Sequence, residues 1–296
     1  MALRVPNPFK TCNGCSFSSI EAVSLLLARF RSAGDIFELS RQYDRSQASL
    51  SQLVNELCQF INDTWSHLLD FDHQYLLSKP KLIEYAHAIH KAGAPLASVW
   101  AFLDCTLREI CSPTWFQRVV YNGHKKFHAL KYQVLKLPNG LIGHLYGPIE
   151  GRHNDNFLLT DSNLLEMCAA HANHPNIRAD RPIHEWSLQI FGDPAYGLNP
   201  YLISPYTRNQ QSPDEHEWNQ RMAKVWIEVE HGFADITRTW PFLNAWWKQK
   251  IFASPVGTYY RVGALLSNAL NCIRPNQTAQ AFECEPPTLE EYFHDQ

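Results

Sequence analysis

Asp104 closes the apolar run SVWAFLDCTL, Asp193 closes LQIFGDPAY, and Glu230 lies on the apolar flank of a long amphipathic helix. A carboxylate on buried apolar structure is costly unless something pairs with it, and a divalent cation held by all three acids would supply that pairing. Three such acids can hold two Mg²⁺ or Mn²⁺ ions about 3.5 to 4 Å apart, which activates an attacking oxygen and stabilises the leaving one. That is the chemistry of phosphodiester displacement. Each acid also has a plain structural reading, as a strand-end cap or as the turn former in GDPAY; the three together point to a metal site.

The helix that carries Glu230 reads HEWNQRMAKVWIEVEHGFADITRTW. Trp218, Met222, Val225, Val229, Phe233, Ile236 and Trp240 recur at spacings of three and four and define its buried stripe. Glu228 and Glu230 flank that stripe on opposite sides. Beside Glu228 lie Arg221, Lys224 and Asp235, an ordinary solvated face with an i to i+4 ion pair. Beside Glu230 lie Ala223, Trp226, Phe233 and Ala234, which offer no cation, so Glu230 is the acid that needs an external partner.

Strands must present the two aspartates. LASVWAFLDCTL and LQIFGD are near-continuous apolar runs, as expected of strands covered on both faces. FHALKYQVLKL and LIGHLYGPI flank the turn signal PNG and read as a hairpin. NFLLTDSNLLEMCAAHA reads as a helix between them and the second aspartate strand. The expected fold class is α/β: a ribonuclease H-like mixed sheet flanked by helices, over residues 96–275. The preceding residues, 1–95, read as an all-α, helix-turn-helix-like N-terminal domain. Its signals are a capping pair Ser18 and Glu21, the segment DIFELSRQY, a DRS turn, and SQASLSQLVNELCQFI. A plain helical bundle is an equal reading of the same segment, because it is electrically neutral.

The formal net charge of −3 and pI near 6.5 exclude a strongly basic nucleic-acid binder, but charge is segregated along the chain. Residues 1–95 balance nine basic against nine acidic residues. From Arg108 to Arg152 there are seven basic residues and only Glu109 and Glu150 as acids. A phosphate-binding surface is therefore expected there, on Lys125, Lys126, Lys131 and Arg152. Beyond Arg274 no Lys or Arg remains, and residues 276–296 read as an extended acidic tail. The start MALRVPNPFK and the absence of a long apolar run read as a soluble, intracellular chain with no membrane partner. The eight cysteines are scattered, and the lone Cys12/Cys15 pair does not make a zinc site.

From about Ala97 to Ile273 the chain resembles the DDE endonuclease domain of PIF/Harbinger-type transposases, in a form like those of fungal genomes. AFLDCT stands at the family's IDGTH motif, YNGHKKFHALKYQVLKLPNG resembles YNGRKKFHSLNVQAVCDPDG, and GPIEGRHNDNFLL resembles GxxGSxHDSRVL. GDPAYGLNPYLISPY is similar to GDSAYPLxPYLLTPY, and KVWIEVEHGFADITRTWPFL to RxxxEHAxGxLKGRF. The resemblance implies that Asp104, Asp193 and Glu230 are the catalytic acids and that Asp155 joins them as a metal-supporting residue. It further implies Mg²⁺ or Mn²⁺ as cofactor, DNA as substrate, nuclear work on element ends, and a separate Myb-like accessory protein, with homo-oligomerisation as a further expectation. The departures are specific. Trp226 stands where the family has Arg, Thr237 where it has Lys, Cys105 where it has Gly, and RHND where it has the His-Asp pair. These changes remove phosphate-contacting charge and leave the acids. The alternative reading is a transposase-derived scaffold, decayed or adopted by its host, that binds DNA or protein without cutting.

Overall fold

The structure is a computed structural model that describes residues 2–174, 187–207 and 210–295; the side chains of residues 230–235 also lie outside the described set. A short ribbon, β1 (Phe9–Lys10) with β2 (Ser16–Phe17), leads into four helices: α1 (Ser19–Arg31), α2 (Ile36–Tyr43), α3 (Gln47–Trp65) and α4 (Lys79–Lys91). Their starts follow capping chemistry. Ser18, Asp35 and Ser46 each accept a backbone N–H of the first turn, and Asp44 ends α2 in the left-handed region at φ 50°. The apolar positions of α3, from Leu50 to Trp65, are buried against α1 and the later helix over Val256–Ile273. The helices expected of a helix-turn-helix are present. However, α3, which follows the turn, carries no Lys or Arg.

The sheet is built from β3 (Val99–Glu109), β5 (Phe127–Lys136), β6 (Ile142–Glu150), β7 (Gln189–Gly192) and β8 (Leu202–Ile203), with β4 (Tyr121–Asn122) beside the start of β5. A short helix, α5 (Gln117–Val120), leads into β4. The order across the sheet is β6-β5-β3-β7-β8. The first three strands form an antiparallel meander, and β7 and β8 add in parallel to β3. The PNG turn closes the expected hairpin, with Gly140 at φ 81°. Between β6 and β7 run α6 (Asp155–Asp161) and α7 (Leu164–His171). A mixed sheet of this order flanked by helices is compatible with a ribonuclease H-like endonuclease.

After β8 comes the 27-residue α8 (Pro213–Thr239), opened by a capping box of Ser212 and Glu215. The chain ends in α9 (Val256–Ile273), α10 (Gln277–Phe282) and α11 (Leu289–Tyr292). Two expectations change here. Residues 276–295 are not an extended tail: Phe282, Cys284, Tyr292 and Phe293 are buried, with Phe282 against Phe102 (6.1 Å between ring centres) and Phe293 against Trp65 (4.9 Å). The acidic residues mark only its solvent side, and burying each aromatic contributes roughly 1.5 to 3 kcal/mol. Nor does residue 95 divide two cores. One apolar cluster runs from Leu3 to Phe293, with α4 packed on β3, so the change at 95 is one of element type. Among the described residues no helix is long and apolar enough to cross a membrane.

Candidate active site

The first five residues of β3 are fully buried, and Asp104 is where the strand begins to emerge. In the parallel pairing of β3 with β7, Phe102 sits opposite Phe191 and Leu103 opposite Gly192. The next positions in that register are Asp104 and Asp193. Adjacent strands lie about 4.8 Å apart, so the backbones of Asp104 and of Asp193, the residue just past the end of β7, are neighbours at this end of the sheet. Asp104 Oδ1 accepts the N–H of Cys105 at 2.7 Å. Asp193 is exposed and caps a tight turn over Pro194–Tyr196, its Oδ1 accepting the N–H of Ala195 at 2.8 Å. Its own carbonyl accepts Ser204 Oγ at 3.0 Å. The capping role of GDPAY and the paired-acid role thus coexist in one residue.

The face of Phe102 and Phe191 is covered by α8. Trp226 packs edge-on against Phe102 and Phe191, at 5.8 and 5.4 Å between ring centres, and Trp218 lies 6.0 Å from Phe191. The predicted stripe is buried at each described position from Met222 to Trp240, Trp218 being partly exposed; Phe233 lies outside the described side chains. Glu230 follows Trp226 by one helical turn. Its backbone belongs to α8, on the Asp104 side of the sheet, and its side chain lies outside the described residues. Glu228 is exposed, as its charged neighbours predict. Trp226 is a packed core aromatic, so restoring Arg there would put a charge into an aromatic cluster.

Among the described residues no group of three or more His, Cys, Asp or Glu side chains is placed to hold a metal ion; the third acid of the set is outside that search. The donor chemistry fits a hard cation nonetheless. Two carboxylates at adjoining strand ends, with a third acid on the helix that packs against the same sheet, would provide the oxygen ligands that Mg²⁺ or Mn²⁺ prefer.

The opposite face corrects two expectations at once. Lys131 sits opposite Leu107 in the register of β3 and β5, on the Cys105 side. It is buried, its ammonium forms an ion pair with Asp155, and it donates to the carbonyl of His153 at 3.0 Å. A buried ammonium requires a counter-charge, and Asp155 is the one supplied. Lys131 is therefore not part of an exposed DNA surface, and the Asp155 carboxylate is committed across the sheet from Asp104. The remaining cations, Lys125, Lys126 and Arg152, are exposed.

That face braces the site from behind. The Asn156 side chain donates to the carbonyl of Ala195 at 2.7 Å, tying α6 to the turn after Asp193. The Tyr196 hydroxyl meets Cys105 Sγ at 3.1 Å. Burial, with a smaller push from the Asp155 charge, raises the Cys105 thiol to about 12, so it stays neutral and is no nucleophile. Gly192 makes this layer possible, because a Cβ there would come within 2.9 Å of Tyr196 Cδ2. Gly192→Ala must push the ring outward, and we expect a loss of about 1 to 2 kcal/mol, read as a lower urea midpoint at unchanged slope.

The sequence counts Lys136 and Arg108 within its basic stretch but does not place them on the Asp104 face. Lys136 pairs in register with Phe102 and is buried, and Arg108 lies four residues beyond Asp104. Strand alternation counted from Asp104 finds Arg108, and the antiparallel register finds Lys136.

Residues 103–268 match the sequence profile of the DDE superfamily endonuclease, just over half of the chain. The chain belongs to that family. The matched region of this DDE endonuclease holds Asp104, Asp155, Asp193 and the Glu230 position, and it excludes the helical first third. No match was found among curated proteins or among solved structures. Membership suggests a nuclease of transposase type, with DNA as the expected substrate and divalent metal as the general requirement of DDE nucleases.

Proposed function

We propose that this DDE endonuclease is a PIF/Harbinger-type transposase of fungal-like form that cleaves DNA phosphodiesters with Mg²⁺ or Mn²⁺ at Asp104, Asp193 and Glu230. The observation that supports the reading is the register of β3 with β7, which pairs Leu103 with Gly192 and so leads both aspartates to adjoining strand ends on a sheet that Trp226 of α8 packs against. When bound, the cation neutralises charge on the phosphate and makes a nucleophile accessible at neutral pH. The chain's own residues position and exclude. Asp104 is fixed by its strand, Asp193 by the turn it caps, and the Trp226–Phe102–Phe191 cluster keeps water out beneath them.

DNA approaches across the exposed cations Lys125, Lys126 and Arg152. Replacing Lys125 and Lys126 with Ala should weaken duplex binding and lower the slope of log affinity against log salt by up to about 2, at about 0.9 per phosphate released. An unchanged slope moves the DNA surface elsewhere. A nuclear location, a Myb-like accessory protein and assembly of several copies on element ends complete the proposal. A second reading has one observation behind it: α8 offers Trp226 and Thr237 where a cation would serve phosphate, which suits a scaffold that binds without cutting. Nicking of supercoiled plasmid by purified protein, in Mg²⁺ or Mn²⁺ and not in EDTA, supports the nuclease. No nicking in either metal supports the scaffold.

A further inference from the structure

We infer that Arg108 is the phosphate-holding cation of this site; the inference rests on the nuclease reading above. Asp104, Thr106 and Arg108 alternate onto one face of β3, so Thr106 is the next side chain after Asp104, about 7 Å along the strand. Arg108 folds back along that face. Its Nη2 donates to Thr106 Oγ1, and its guanidinium lies over the Tyr260 ring, 5.2 Å from the ring centre. Tyr260 is itself buried, so its ring presents a fixed face. The guanidinium is therefore held, by a hydroxyl and an aromatic face, on the same face of β3 as the carboxylate that would bind metal.

Among the described residues it lacks an anion. Arg261 spends its donors on Asn62 and on the carbonyls of Leu145 and Gly147, and Lys131 has Asp155. Arg108 has no carboxylate partner among the described residues, and its Nε is buried without an acceptor. A guanidinium presents five donors in a fork that matches phosphate oxygens, and a buried donor left without an acceptor is costly. Lys136, the other cation on this face, lies at the buried end of β3, opposite Phe102. Arg108 lies on the partly exposed half of β3, four residues beyond Asp104 on the same face, where a DNA backbone running along the strand would meet it. The ligand class is a DNA backbone phosphate adjoining the one being cut.

The test compares wild type, Arg108→Lys and Arg108→Gln for binding to a short DNA duplex over a range of salt, for plasmid nicking, and for urea unfolding. Arg108→Gln should lower the salt slope by about 0.9, the value for one phosphate contact, and slow nicking by about tenfold or more. Arg108→Lys should keep the slope, a rescue that a purely structural role would not produce. A glutamine variant that folds, with the wild-type slope and nicking rate, overturns the inference and leaves the nuclease standing. A wild type that shows neither salt-dependent binding nor nicking overturns both.

Discussion

Asp104→Asn and Asp193→Asn should each abolish metal-dependent nicking of DNA, with no recovery at higher protein or metal concentration. In the proposed site each change removes a ligand and a negative charge, so positioning, charge neutralisation and nucleophile activation fail together. A loss of at least three orders of magnitude is expected, on the scale of removing a catalytic group. Folding should survive. Asp104 sits where the strand is already emerging, and Asp193 keeps its cap as Asn, a residue that accepts the Ala195 N–H equally well. Plasmid nicking and urea unfolding on the same preparations check both halves. An Asn variant that folds and retains even a tenth of the activity would remove that aspartate from the catalytic set.

The largest effect on stability is expected from the buried ion pair behind the site. Lys131→Met leaves the Asp155 carboxylate without its counter-charge and the His153 carbonyl without a donor, which should cost about 3 kcal/mol or more. The double variant Lys131→Met with Asp155→Leu should return most of that stability, because a well-packed apolar pair of similar volume often matches a buried ion pair. Activity need not return with it. Asp155 opens α6, whose Asn156 holds the turn after Asp193, so a shift of that helix would displace a proposed metal ligand. Urea midpoints and the coupling between the two substitutions measure the first effect, and nicking by the double variant measures the second. A single-variant cost below about 1 kcal/mol would show that the pair is solvated and not buried.

Much of the candidate site was legible because its signals are local. An apolar run that ends in Asp marks a buried strand reaching a sheet edge, and it did so at both Asp104 and Asp193. The periodicity of α8 assigns Glu228 to a charged, solvated face, and Glu228 is exposed as that argument requires; the side chain of Glu230 lies outside the described residues. The misreadings came from information that is not local. Lys131 reads as a surface cation in FHALKYQVLK, yet β5 lies between β3 and β6 and is covered, and the residue that neutralises Lys131 is 24 positions further on. The run after Arg274 reads as a tail because its acids dominate the composition. Its three aromatics found places against Phe102, Trp65 and Asn268, elements that sequence patterning does not place beside it. Trp226 looked like a lost cation in a one-dimensional comparison and is a packed aromatic in three dimensions.

In the proposed site Asp104 and Asp193 hold a divalent cation together with Glu230. Crystals of the protein grown with Mn²⁺, measured at the manganese absorption edge, test it directly. The prediction is an anomalous peak between the Asp104 and Asp193 carboxylates, at about 2.0 to 2.6 Å from their oxygens, with a Glu230 oxygen in the same shell and the peak gone in Asp104→Asn. A peak bound elsewhere, or no peak at saturating Mn²⁺ in crystals where both aspartates are ordered, would contradict it.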